Sequence, residues 1–81
     1  MYQTIEITRY FQIARHDLAY LKFIVEAHEG IATLSTADRE TSTVAITYQR
    51  YFAEELNSLL ESLGTEIAIK EVSDTEFTSH A

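Results

Sequence analysis

The chain has no cysteine, no proline and no tryptophan, and only two glycines in 81 residues. Without cysteine there is no disulfide and no thiolate metal site, and a cytoplasmic location is expected. Without proline, no helix or strand is interrupted by a missing N–H donor. No apolar run approaches ~18 residues and no basic-plus-apolar leader opens the chain, so no membrane association and no export signal are expected. Positive charge is scarce too. Six Lys and Arg stand against thirteen Asp and Glu, a formal net charge of −7. The bases Arg9, Arg15, Lys22, Arg39, Arg50 and Lys70 are scattered along the sequence, which argues against nucleic acid as a partner. The excess of acid is read as a solubility device.

A chain of 81 residues makes one small domain. A domain of ~60 residues buries only ~60% of the surface its unfolded chain exposes. With no disulfide to help, self-association is a natural source of further stability, and a homodimer is expected.

The most informative stretch is residues 17–30, read as the first helix. Asp17 stands at its N-terminus as cap or first-turn acid, and Gly30 stops it in a left-handed backbone. At 100° per residue, Arg15, Lys22, Glu26 and Glu29 share one narrow polar stripe. Leu18, Tyr20, Leu21, Phe23, Ile24, Val25 and Ala27 cover most of the remaining circumference. A surface helix shows an apolar stripe somewhat over ~100° wide, and this one spans roughly 200°. One sheet does not cover that much. Tyr20, Phe23, Ile24 and Ala27 are therefore candidate interface residues.

The remaining elements follow from periodicity. Residues 4–13 read as a strand with Ile5, Ile7, Phe11 and Ile13 on one parity. Arg9 and Tyr10 break the alternation, and either a β-bulge there or an early end to the core-facing part would explain both. Residues 31–36 and 43–49 read as strands, joined by a polar stretch, 37–42, expected to be a longer, mobile connection. Phe52, Leu56, Leu59, Leu60 and Leu63 mark a second amphipathic helix over 51–63, closed by Gly64. Residues 65–72 read as a fourth strand. The domain is expected over 1–72, with a flexible tail over 73–81. Strand, helix, strand, strand, helix, strand with right-handed crossovers predicts an α+β, ferredoxin-like βαββαβ fold. Four antiparallel strands carry both helices on one face. The other face is expected to be bare and polar.

Arg15-His16-Asp17-Leu18, Tyr20-Leu21-Lys22-Phe23-Ile24, Glu26, Gly30-Ile31-Ala32 and Thr36 together resemble a small bacterial family of unknown function. Its pattern is R-x-D-[LI]-x-Y-L-K-F-I-x-E-x-x-x-G-I-A. The resemblance implies the same fold over nearly the whole chain and gives no activity. At fold level the order also looks like ACT regulatory domains, which bind amino acids at subunit interfaces. Those domains place glycine between first strand and first helix, where this chain has Ala14-Arg15-His16. Acylphosphatases share the fold and use an arginine in this region, but their glycine-rich phosphate loop is missing.

Arg15, His16 and Asp17 are the candidate ligand-binding residues. At a helix N-terminus, Arg15 would clamp an anion and His16 would exchange protons. The plainer reading makes Asp17 a cap, Arg15 a solvated ion-pair partner and His16 an exposed loop residue. His16 and His28 are not at metal-ligand spacing, so no metal and no cofactor are expected. Lys22 and Glu26 read as an i, i+4 ion pair. No catalytic residues are assigned. The sequence thus reads as a non-enzymatic, self-associating interaction or regulatory module, with an unidentified protein as a possible further partner. The alternative is an ACT-like sensor of a small anionic ligand, a metabolite or an amino acid.

Overall fold

In β1 (Glu6–Ile13) alternate side chains point to opposite faces. Phe11 and Ile13 are both 3% exposed, so the odd-numbered face is the covered one. The computed structural model describes residues 5–28 and 30–73. A single 3₁₀ turn, Arg15–Asp17, leads into α1 (Leu18–Ala27). Then come β2 (Ala32–Asp38) and β3 (Thr43–Gln49). A second 3₁₀ turn, Arg50–Phe52, precedes α2 (Ala53–Gly64) and β4 (Ile69–Val72). The strands form one antiparallel sheet in the order β2-β3-β1-β4, the ferredoxin-like arrangement. No helix among the described residues is long and apolar enough to cross a membrane.

Register builds the core. Phe11 lies opposite Val44, Ile7 opposite Tyr48, Leu34 opposite Ile46, and Ile13 opposite Ile69. Leu21 and Val25 of α1 and Leu56 and Leu63 of α2 close over the same cluster, so both helices lie on one face. Each fully buried side chain of this size contributes about 1.5–3 kcal/mol.

The differences from expectation have local causes. The expected start of β1 at Thr4, and residues 74–81 of the expected tail, lie outside the described residues. Helix α1 ends at Ala27, three residues early, with the His28 N–H donating to Val25 O. Gly30, at φ +83°, makes the left-handed stop. Strand β2 runs on to Asp38, with a bulge between Thr36 and Asp38. The connection to β3 is correspondingly shorter than expected and is tied by hydrogen bonds. Asp38 accepts from the Glu40 N–H at 3.2 Å and the Thr41 hydroxyl at 2.8 Å. Ser42 adopts φ 56°, which is uncommon outside glycine. It is held there by Ile13, whose N–H donates to Ser42 O and whose carbonyl accepts from the Ser42 hydroxyl. Strand β4 begins at Ile69 rather than residue 65 because the N–H groups of Thr65, Glu66 and Ile67 bond back to Ser62 O and Leu63 O. They satisfy carbonyls at the end of α2 that have no partner within the helix.

Of the two explanations for the break at Arg9 and Tyr10, a bulge and an early end to the core-facing part, the bulge is absent from the β1–β3 pairing. The β1–β3 register is continuous from Glu6 opposite Gln49 to Gln12 opposite Thr43. Arg9 therefore lies on the helix-covered face, opposite Ile46. Its guanidinium forks onto Glu71 of β4, with Nε to Oε2 at 3.0 Å and Nη2 to Oε1 at 2.8 Å. Nη1 donates to Asn57 Oδ1 of α2 at 2.7 Å, and the group lies 5.3 Å from the centre of the Phe11 ring. Bidentate charge-assisted bonds of this kind are stronger than neutral ones. They raise the pKa of Arg9 and hold the Glu71 carboxyl below its ordinary value.

The side chain of Arg9 is 25% exposed and that of Glu71 50%, so solvent screens the pair. Glu71→Ala is expected to cost about 1 kcal/mol in a urea titration. Arg9→Met, which replaces the cation by an apolar chain of similar reach, is expected to cost less. Because the folded-state pKa of Glu71 is lowered, its stabilisation is present above the ordinary carboxyl value of about 4.3 and is lost as pH falls through the lowered one. The stability difference between the wild type and Arg9→Met should therefore move in favour of Arg9→Met in acid.

Candidate functional site

Arg15, His16 and Asp17 form the 3₁₀ turn that joins β1 to α1, closed by the Asp17 N–H donating to Ala14 O at 2.9 Å. Asp17 occupies the N-cap position of α1 but makes no capping hydrogen bond through its side chain. It lies 3.5 Å from His16 Nε2 instead. The His16 side chain is 82% exposed, in the place the plainer reading gave it. The three residues thus do not converge on one point.

Arg15 faces a different neighbourhood. It lines a cleft of about 270 Å³ with Leu18, Thr36, Asp38, Arg39, Ser42 and Thr43. Its Nη2 donates to Arg39 O at 3.3 Å. Sequence reasoning had left Asp38, Arg39, Ser42 and Thr43 in or beside a connecting loop. The bulge and the Asx-type turn bring them to the start of α1. The only signal for this in the sequence is an aspartate followed by hydroxyl residues.

The polar groups of the cleft divide into two sets. One set holds the turn. Thr43 is fully buried and its hydroxyl lies 2.6 Å from that of Thr41. Thr41 gives its own proton to Asp38, so Thr43 is the donor in that pair. The Ser42 hydroxyl is given to Ile13 O. The other is the Arg15 guanidinium, whose Nη2 reaches the backbone carbonyl of Arg39, with Asp38 opposing it in charge. The hydroxyls of the cleft are already engaged.

The expected apolar face of α1 is partly closed. Ile24 packs against the core, while Phe23 is 66% exposed, Tyr20 38%, and Ala27 is exposed as well. The Tyr20 hydroxyl donates to Glu66 Oε1 at 2.5 Å, in the turn after α2. That bond raises the pKa of Tyr20 and fixes its ring across the flank of α1 that faces α2. Tyr48 is a core residue at 6% exposure. His28 is exposed, its Nδ1 2.9 Å from Ile24 O. Among the described residues, no group of three or more His, Asp or Glu is placed to hold a metal ion.

The molecule is therefore a ferredoxin-like α+β domain with a polar cleft lined by Arg15, Asp38 and Arg39 at one end of the sheet and exposed aromatic side chains on one helix. Residues 11–67, from the end of β1 through α2, match the family described as a domain of unknown function, DUF4911, and the chain belongs to that family. No curated protein and no solved structure matches it.

The Tyr20–Glu66 bond makes a spectroscopic prediction. A raised folded-state pKa means that the bond's contribution is present below the ordinary phenol value of about 10 and is lost as pH rises through the raised value. Phenolate absorbance, taken as the difference from Tyr20→Phe, should show Tyr20 ionising above that value. Glu66→Gln should bring it back down. An ionisation indifferent to Glu66→Gln would remove the bond in solution.

Proposed function

We propose that this domain is a non-catalytic module that acts by self-association, with the outward face of α1 as its contact surface. The observation that carries the reading is Phe23, an aromatic side chain 66% exposed on a helix whose opposite side is fully buried. Tyr20 and Ala27 extend the patch. Tyr20 is held by Glu66 before any partner arrives, so it loses little rotamer freedom on binding. Rigid aromatic anchors of this kind carry most of the energy of protein contacts. A cysteine-free sequence suits a cytoplasmic setting for such a module.

Burying a Phe side chain is worth about 1.5–3 kcal/mol, and 1.4 kcal/mol is tenfold in a dissociation constant. Phe23→Glu should therefore weaken self-association by about tenfold or more, read as solution mass by light scattering. An unchanged mass, with the far-ultraviolet circular dichroism intact, would end this reading.

The cleft supports a second reading, a sensor of a small anionic metabolite or amino acid, through Arg15, which lines the cleft with Arg39 and bonds to its carbonyl. A ligand at ~100 times its dissociation constant adds ~2.7 kcal/mol. For a domain of this size that raises the midpoint by on the order of ten degrees. A thermal-shift panel of amino acids, inorganic phosphate and phosphorylated metabolites should give such a rise, and Arg15→Ala should abolish it. A rise that survives Arg15→Ala would dispose of the clamp.

A further inference from the structure

The two edges of the sheet are unlike. β4 is four residues long, and Lys70 and Glu71 stand at its middle. Short, charged edges resist pairing with other chains. β2 is seven residues long, and from Ala32 to Ala37 it has neither charge nor proline. Its one charged residue, Asp38, comes after the bulge, so the regular edge is Ala32 to Thr36. Only β3 pairs with β2 among the described residues. An uncharged edge of β-branched and small residues is a template for a further strand.

We propose that this edge pairs antiparallel with β2 of a second copy, joining two four-stranded sheets into one continuous sheet. What points to a second copy is the charge order on the neighbouring helix. Leu18 lines the cleft with Thr36 and Asp38, which puts its side of α1 over β2. Tyr20, bonded to Glu66, marks the opposite side. At 100° per residue, Lys22 and Glu26 fall on the Leu18 side. Both are exposed, and the ion pair expected between them is absent among the described residues. Along this flank Lys22 comes first and Glu26 follows. A two-fold axis through β2 runs α1 against its copy in the opposite direction. Lys22 of each copy then meets Glu26 of the other, twice. A self-complementary flank is what a two-fold contact requires.

Area argues the same way. Five paired residues span only ~17 Å. That alone falls short of the ~800 Å² per partner of a standard interface. The α1 flanks supply the remainder, side by side above the joined strands. Phe23 lies on the outward side of α1, so this contact is distinct from the one proposed above. A chain with two different two-fold contacts closes into a tetramer or runs on as a fibre.

The test combines Phe23→Glu with charge exchange at Lys22 and Glu26, read by sedimentation equilibrium at low salt. With Phe23→Glu present, the edge contact should leave a dimer. Lys22→Glu should weaken that dimer by about tenfold or more, and adding Glu26→Lys should restore it. Both residues are exposed, so the variants should fold, and circular dichroism checks that. In the restored dimer, the amides of Ala32 to Thr36 should exchange more slowly than in the Lys22→Glu variant. A monomer with Phe23→Glu alone overturns the edge pairing and leaves the α1-face reading standing. A dimer indifferent to Lys22→Glu, or one not restored by the exchange, also overturns it. A wild-type monomer that pairs β2 only with some other chain overturns it too, and takes the α1-face reading with it.

Discussion

β1 is bonded on both sides, to β3 and to β4, and its register against them decides which residues lie beneath the helices. A slip of one residue would turn Phe11 and Ile13 out of the core and bring Gln12 and Tyr10 in. The register that buries Phe11 also places Arg9 on the covered face, because the two share a parity. That placement is tolerable because Glu71 and Asn57 reach the guanidinium from β4 and α2. Among the described residues, β4 is the shortest strand and pairs with β1 alone. The Arg9–Glu71 fork, between residues 62 apart in sequence, gives it a specific docking point that apolar contact alone would not. The break in the apolar pattern thus helps to specify where β4 docks.

The other end of the molecule shows the opposite balance. Asp38, Thr41, Ser42 and Thr43 have the residue types of a ligand site, and their hydrogen bonds run to one another and to Ile13. Their polarity is spent on holding Ser42 at a positive φ and the turn against β1. The Arg15 guanidinium, bonded to the carbonyl of Arg39, is the cationic group the structure places at this cleft.

Much of this fold was legible because it rests on periodicity. The bounds of β3, the i, i+4 spacing of Leu21 and Val25, and the i, i+7 spacing of Leu56 and Leu63 are all apolar signals. The left-handed backbone at Gly30 is a signal of the same directness, although α1 itself ends earlier, at Ala27. The features that escaped are made by polar partners brought from a distance or by backbone groups. Arg9 looked like a flaw until Glu71 stood beside it. The turn after β2 depends on one aspartate accepting two local hydrogen bonds. The late start of β4 depends on carbonyls of α2, which periodicity does not register. At the candidate site, Arg15 lines the cleft, while His16 and Asp17 stand together beside it, adjacent in the same 3₁₀ turn. Arg39 joins Arg15 through tertiary structure alone.

Charge limits where two copies can meet. Each carries a formal −7, so approach is unfavourable unless the facing surfaces are locally neutral or complementary. The acids are unevenly placed. Glu54, Glu55 and Glu61 are exposed on α2, and Glu66 and Glu71 lie in the turn after it and on β4. The α1–β2 side holds Arg15, Lys22 and Arg39, three of the six bases, interleaved with the acids Asp17, Glu26, Asp38 and Glu40. There the two signs alternate, so facing copies can pair unlike charges, whereas the exposed acids of α2 have no base beside them on the helix. The uncharged edge of β2 adds no charge to that balance. Edge chemistry, interleaved charge and exposed aromatic surface thus select the same half of the molecule for contact.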